Sequence, residues 1–257
     1  MLEKLLQAIR EEGIRMLEAK DICAEEKGGP ENIVTNYDKM VQENLERKFR
    51  ELLPGVGFLG EEDLKANSDR SDGLFFIIDP IDGTMNFSRS YQRSCISVAL
   101  AQEDRVVFGA VYDPYQDEMF WAERGKGAWL NGKTIHVSGR GLHSGLVMFG
   151  TSPYHRDLTD LTFTIARKLY DRSLDLRRSG SAAIDLCALA AGRIEVFFEV
   201  TLCPWDYAAA SLILQEAGGV IGRMEGGEVA LTESSSVLAA SRAAWEEAAC
   251  VVKECLA

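Results

Sequence analysis

The stretch from Phe75 to Phe87, FFIIDPIDGTMNF, constrains the fold more than any other part of the chain. Leu74–Ile78 is a short apolar run rich in β-branched and aromatic residues, which predicts a buried strand. The run stops at two aspartates three residues apart, Asp79 and Asp82. Pro80 holds Asp79 extended and has no N–H to donate, so a turn is expected between the two carboxylates, on which both could converge. Gly83 and Thr84 follow, allowing close backbone approach with free N–H groups able to face an anion. A lone Asp-Gly is ordinarily a turn, or an Asp helix cap. Two carboxylates at the end of a buried strand are different, because burying them side by side is costly without a cation.

Further carboxylates stand at comparable places. Glu61 and Glu62 of GEED follow a short predicted strand, and Asp206 of CPWDYAAA sits where a helix begins. Taken singly, these read as a solvated loop tip and a helix cap. Glu61, Asp79, Asp82 and Asp206 together make an all-oxygen donor set without His or Cys, which suits Mg²⁺ or Mn²⁺ rather than zinc. Asp79, between the others, could bridge two ions about 4 Å apart, as two-metal phosphoryl chemistry requires. The three histidines, 136, 143 and 155, lack metal spacing and read as surface or packing residues.

Charge bears on the substrate. The 257 residues carry a formal net charge of −12, which disfavours nucleic acid and anionic membranes. It also disfavours a phosphate substrate, unless bound cations reverse the local sign. A hydrophobic fraction of 46% is ordinary for a globular protein, and no apolar stretch approaches a membrane span. The N-terminal segment is charged and helically periodic rather than signal-like, so a cytoplasmic protein is expected. Six scattered cysteines form no CxxC and read mostly as small buried hydrophobes.

The expected fold class is α/β, with an α+β N-terminal half over 1–140 and an α/β C-terminal half over 141–257. Residues 1–20 form an amphipathic helix whose face is Leu2, Leu5, Leu6, Ile9 and Leu17. Residues 25–34 form a polar loop, and a second helix begins near Thr35 and stops at Pro54-Gly55. Residues 64–73 are expected as a surface loop. Residues 94–135 alternate as antiparallel strands, with Asn131-Gly132 as a tight hairpin turn. The second half alternates strands with helices, one capped by Ser181 and ended by Gly192. Acidic motifs come from both halves, which puts a site where they meet.

GEE, IIDPIDGTMNF, GSAA and WDYAAA, in this order, strongly resemble the inositol monophosphatase family, over nearly the whole chain. The resemblance implies a layered α-β-α-β-α sandwich, homodimerisation, lithium sensitivity and hydrolysis of a small phosphorylated polyol or sugar. It implies that Glu61, Asp79 and the Ile81 carbonyl bind one Mg²⁺, that Asp79, Asp82 and Asp206 bind a second, and that a third sits near Glu61. Thr84, with Glu61 and Asp38, would orient and deprotonate the attacking water. Gly83 and Thr84 amides would hold the phosphate. The matching substrate segment gives Gly180, Ser181 and Ala182, with Ile81, Asp82, Asp206 and Glu199 also lining the substrate; Glu199 would accept a sugar hydroxyl. Read alone, Glu199 is equally an exposed charge at a strand end. Lys27 falls in the family's loop before Asp38. The family's usual Gly-Gly after Glu199 is here Val200-Thr201.

Alternatives remain. Relatives in the same superfamily hydrolyse 3′-phosphoadenosine 5′-phosphate, fructose 1,6-bisphosphate, histidinol phosphate or NADP, although DGTMNF resembles the inositol branch more than the nucleotide branch. A haloacid-dehalogenase-like phosphatase needs D-x-D-G-T, whereas the spacing here is D-x-x-D-G-T. A catalytically silent binding homologue would be expected to have lost a ligand. There is no G-x-x-x-x-G-K-[ST] loop for a nucleotide, and RSGSAA is not a nucleophile elbow.

Overall fold

The structure is a computed structural model that describes residues 1–62 and 73–256. The chain opens with α1 (Leu2–Leu17), β1 (Ala24–Gly29), β2 (Asn32–Thr35), α2 (Asn36–Leu52), β3 (Gly57–Gly60), β4 (Leu74–Asp82) and the short α3 (Thr84–Ser88). An antiparallel meander follows: β5 (Cys95–Gln102), β6 (Arg105–Asp113), β7 (Glu118–Glu123), β8 (Ala128–Leu130) and β9 (Lys133–Ile135). Then come β10 (Leu146–Phe149), α4 (Thr159–Tyr170), β11 (Asp175–Arg177), α5 (Ala182–Ala190) and β12 (Val196–Leu202). The last elements are α6 (Pro204–Glu216), β13 (Val220–Gly222), β14 (Ser235–Ala240) and α7 (Arg242–Leu256). Among the described residues, no helix is long and apolar enough to cross a membrane.

Two sheets organise these elements. Among the described residues, one has seven strands in the order β3-β4-β5-β6-β7-β8-β9, and the other five in the order β11-β10-β12-β14-β13. Strand alternation sends successive side chains to opposite faces, so each sheet feeds two cores. Phe76, Ile78 and Val98 pack with Leu5, Ile9, Val41 and Leu45 of α1 and α2. Phe75, Ile77 and Ala99 face the other way, onto Leu186, Tyr207 and Leu212 of α5 and α6, which Phe197 and Val237 of the second sheet meet from beyond. Phe198 and Leu238 face outward onto Ile165 of α4 and Val251 of α7. The layers therefore run α1/α2, sheet, α5/α6, sheet, α4/α7, which is the expected five-layer sandwich.

Local departures from expectation have local causes. Residues 25–34 are not a loop: β1 and β2 pair antiparallel from Ala24↔Thr35 to Gly29↔Asn32. AEEKGG lacks apolar alternation because this hairpin lies at the rim of the molecule rather than on a core. Leu17 does not join the buried stripe of α1; it is exposed, and Met16 is buried in its place. Cys95 and Cys187 are buried as expected, but Cys23 and Cys250 are exposed. The expected surface loop over 64–73 falls almost wholly outside the described residues.

Candidate active site

The two aspartates of DPID reach one place through a bulge rather than through a turn beyond the strand. β4 continues to Asp82, pairing Asp79 with Ser97 and Asp82 with Cys95. Three steps along β4 therefore oppose two along β5, one residue in excess. Residues three apart on a regular strand point to opposite faces; the extra residue restores Asp79 and Asp82 to the same face. Ile81 confirms the shift, for it packs with Ile78 on the α1/α2 side. Pro80 has no N–H for the ladder, and the Ile81 N–H donates instead to Asp79 Oδ1 at 3.0 Å. The local sequence thus makes its own break and aims both carboxylates at the α5/α6 layer.

Helix starts complete the cluster. Asp206 lies in the first turn of α6, where its Oδ2 accepts the Cys203 N–H at 2.7 Å. It is therefore the third helical residue of a capping arrangement as well as a site carboxylate. The Ser97 hydroxyl, beside Asp79 in the ladder, donates to the Trp205 carbonyl at 3.1 Å and ties this turn to β5. Asp82 does not cap α3; the residue before that helix is Gly83, at φ 88°. A β-carbon on Gly83 would meet the Arg93 carbonyl at 2.9 Å, so the approach itself requires glycine. Asp79, Asp82 and Asp206 each offer an oxygen within 4.8 Å of the others.

Among the described residues, no cationic side chain forms an ion pair with Asp79, Asp82 or Asp206, so their charge is concentrated here. Burial, then repulsion from Glu61, Asp82 and Asp206, pushes the Asp79 carboxyl well above its ordinary range. Asp206 is raised in the same way, by burial and then by Asp82 and Glu61. Burial lifts Asp82 to about 6, against the pull of its donors: the Ser181 hydroxyl at 2.6 Å and the Ala183 N–H at 2.7 Å, both on Oδ2. These donors belong to the start of α5, where the helix dipole also favours an anion. The hydroxyl of Ser181 is thus committed to Asp82, a contact 99 residues away in sequence. Two buried carboxylates and a half-buried one, mutually repelling and with oxygens that converge, fit a hard divalent cation.

The remaining expected residues surround this triad. Glu61 stands outside it but is carried alongside Asp79, because the Glu61 N–H extends the β3–β4 ladder to the Ile78 carbonyl at 3.1 Å. The Lys27 ammonium, brought in by the β1–β2 hairpin, lies 3.1 Å from Glu61 Oε1 and 2.6 Å from Glu62 Oε1. Burial pulls the Lys27 pKa down, but the two glutamates outweigh it and the net shift is upward. Asp38 is buried at the start of α2, its Oδ2 held by the Thr35 N–H and hydroxyl. Burial raises it to about 6. The Thr84 hydroxyl has one proton and two acceptors at 3.0 Å, Asp38 Oδ1 and the Ile81 carbonyl. Ile81, Gly83, Thr84, Gly180, Ser181 and Ala182 all line one cavity of about 520 Å³ with the triad.

Glu199 lines the same cavity and is 7% exposed, so it is no surface charge at a strand end. Burial raises its carboxyl to about 7, against two hydrogen bonds from Ser152. Sequence reading missed Tyr154, Arg156 and Arg178 on the cavity wall. No local pattern marks them: Tyr154 and Arg156 come from the β10–α4 connection and Arg178 from the segment after β11.

Lys27 behaves in this geometry as a tethered monovalent cation on Glu61. A cation that takes Glu61 must displace it. Lys27→Met is therefore expected to lower the Mg²⁺ concentration giving half-maximal thermal stabilisation by severalfold, read by a Tm titration. An unchanged midpoint would show that the ammonium leaves Glu61 free in solution.

Comparison with known proteins agrees with this architecture. The sequence matches the profile of the Inositol monophosphatase family over residues 3–257. It is 37% identical over 210 residues to the Nus factor SuhB of Pasteurella multocida, covering 81% of this chain and 78% of that protein. It is 32% identical over 233 residues to the inositol-1-monophosphatase of Bacillus subtilis, covering 90% and 88%. Among solved structures, the extragenic suppressor protein suhB of Bartonella henselae superposes with a TM-score of 0.91 at 29% identity, covering 98% of both chains. The IMPase of Thermotoga maritima gives 0.89 at 28%, covering 99% and 97%. The profile match and the shared five-layer fold lead to one conclusion: this chain belongs to the inositol monophosphatase family and is a metal-dependent phosphatase.

Proposed function

We propose that the protein is a Mg²⁺-dependent phosphate monoester hydrolase acting on inositol monophosphate or a closely related sugar or polyol phosphate, by direct attack of water. The observation that carries this reading is the convergence of Asp79, Asp82 and Asp206 within 4.8 Å in a cavity. A phosphate monoester is a dianion, and a protein of net charge −12 repels it unless cations intervene. Mg²⁺ held by Glu61, Asp79, Asp82, Asp206 and the Ile81 carbonyl, with two to three ions in all, would neutralise that charge, lower the pKa of water and support the leaving alkoxide. Mn²⁺ fits the same oxygen donors. Uncatalysed hydrolysis of such esters is slow enough that accelerations reach up to ~10²¹-fold, beyond any one side chain.

The chain's own residues supply positioning and proton transfer. Thr84 Oγ1 accepts a proton from the attacking water while its own passes to Asp38 Oδ1, 3.0 Å away. Asp38, lifted to about 6, is basic enough to receive it near neutral pH. Glu61 orients the water, and the Gly83 and Thr84 N–H groups hold the phosphate. Gly180, Ser181 and Ala182 frame the substrate, with Ser181 acting through Asp82. Glu199 accepts a substrate hydroxyl, and DGTMNF favours the inositol branch over the nucleotide branch. The residue segments 1–140 and 141–257 share the work, and a homodimer is the expected assembly on the family resemblance. The catalytically silent alternative is disfavoured by the intact acidic triad.

The test is a panel of monoesters with EDTA-treated protein, with and without added Mg²⁺: inositol 1-phosphate, glycerol 2-phosphate, fructose 1,6-bisphosphate, histidinol phosphate, 3′-phosphoadenosine 5′-phosphate and NADP. Phosphate release is expected only with the metal, with the highest kcat/KM on a polyol monoester. Full turnover without metal would sink the reading. A nucleotide at the head of the ranking would move the assignment to another branch.

A further inference from the structure

The contacts around Glu199 carry an inference about selectivity, one that rests on Glu199 being the acceptor for a substrate hydroxyl. A buried carboxylate can meet a hydroxyl productively only if its orientation is fixed before substrate arrives. Two residues beyond the end of β10 fix it. Gly150 continues the β10–β12 ladder, its N–H donating to the Phe198 carbonyl at 3.1 Å. A β-carbon built on Gly150 would overlap the Glu199 carboxylate, with Oε2 the nearest atom. The carboxylate therefore lies flat on the open side of this glycine, and both residues line the cavity. The φ of Gly150 is not in the left-handed region; glycine is needed here for space alone.

Ser152 holds the other oxygen. Its N–H donates to Glu199 Oε1 at 2.8 Å. Its hydroxyl stands 3.2 Å from Oε1 and 3.0 Å from the Thr201 carbonyl, one proton serving two acceptors, and accepts the Thr201 N–H at 3.3 Å. Ser152 is 3% exposed and sits at φ 40°, immediately before Pro153. A non-glycine residue before proline favours extended backbone, so this conformation is strained. Strain of this kind persists where surrounding contacts impose it, and it gathers at functional sites. The contacts that impose it here are those to Glu199 and Thr201.

We propose that Gly150 and Ser152 are positioning residues for substrate selection. Ser152 occupies Glu199 Oε1, Gly150 makes room for Oε2, and Oε2 is left to accept the substrate hydroxyl. The strained turn at Ser152 exists to deliver that N–H. This accounts for an otherwise opposed set of features: a buried carboxylate, a left-handed serine and a glycine with no torsional need to be one.

The experiment compares Gly150→Ala, Ser152→Ala and Glu199→Gln with the natural chain. The readout is the ratio of kcat/KM for inositol 1-phosphate over 4-nitrophenyl phosphate, which has no hydroxyl to offer. In Gly150→Ala the atom that must yield is the end of a flexible side chain, so the fold survives while the carboxylate moves. The ratio is expected to fall about tenfold in Gly150→Ala, through KM for the polyol ester, the range of one charged hydrogen bond. Ser152→Ala keeps the N–H and loses the hydroxyl, so a smaller fall is expected. The Mg²⁺-induced rise in Tm should be unchanged in both, which a general loss of structure would not allow. If Glu199→Gln lowers the ratio and Gly150→Ala does not, the positioning proposal is overturned while the role of Glu199 stands. If Glu199→Gln leaves the ratio unchanged, both fail. A crystal structure of Gly150→Ala with the Glu199 carboxylate in its original place would also overturn the proposal.

Discussion

Asp79→Asn is expected to lower kcat by at least ~10³-fold, about 4 kcal/mol of barrier, while leaving the metal-free protein as stable as before or more so. The second half of this expectation separates a cation site from a structural one. Asparagine keeps the size of aspartate, and its carbonyl can still accept the Ile81 N–H that closes the bulge. What it loses is one buried negative charge among Glu61, Asp82, Asp206 and Asp38, all of which repel it. Removing a residue from a structural ion pair costs stability because it strands a partner. Removing Asp79 strands no cation of the protein and relieves repulsion. Thermal melts should therefore give a Tm in EDTA equal to or above that of the natural chain, and a much smaller rise on adding Mg²⁺. A variant that melts early without metal and still turns over would make Asp79 a structural residue.

The parts of this site legible in the sequence are those whose cause is local. Phe75–Ile78 announces a buried strand because period and composition act within a few residues, and Asp79 and Asp82 announce themselves by breaking it. The bulge that brings them to one face was less legible: Pro80 signals an interrupted ladder, but only the pairing with Ser97 and Cys95 shows that one residue is in excess. Asp206 was readable as a helix start, and it is one; that it also completes the triad depends on where α6 packs. Hairpin 24–35 escaped because its first strand is mostly exposed and so shows no alternation. Leu17 lost its place to Met16 because one residue of helix is 100° of rotation, enough to turn a side chain from core to solvent. Ser181 was readable as a cap, but its bond to Asp82 spans 99 residues. The grip of Ser152 on Glu199 spans 47. Contacts of that range follow from sheet order, which no local pattern encodes.

Metal-free protein is expected to lose stability as pH rises from about 5 to about 8, by about 5 °C in Tm or more, and Mg²⁺ is expected to abolish that loss. The direction follows from the carboxyls whose folded-state pKa lies above the unfolded one. Burial raises Asp38 and Asp82 to about 6 and Glu199 to about 7. Asp79 and Asp206 are raised further by burial and mutual repulsion. Between the unfolded and folded values the native state binds more protons than the unfolded chain, so stability falls with rising pH. The contribution is fully present below about pH 4 and is lost as pH climbs through 6 and 7. Exposed carboxyls with the opposite shift, such as Asp117 and Asp175, sit below their ordinary range and titrate beneath this window. Divalent cations offset this loss because they bind the ionised oxygens and replace the protons that otherwise screen them. Mg²⁺ binding should then release protons near pH 6, measurable by calorimetry in buffers of different ionisation enthalpy, and Asp79→Asn should flatten the metal-free slope. A metal-free Tm that stays level across the window would mean that the triad is ionised without strain, and a cluster at ease with its own charge has no need of a cation.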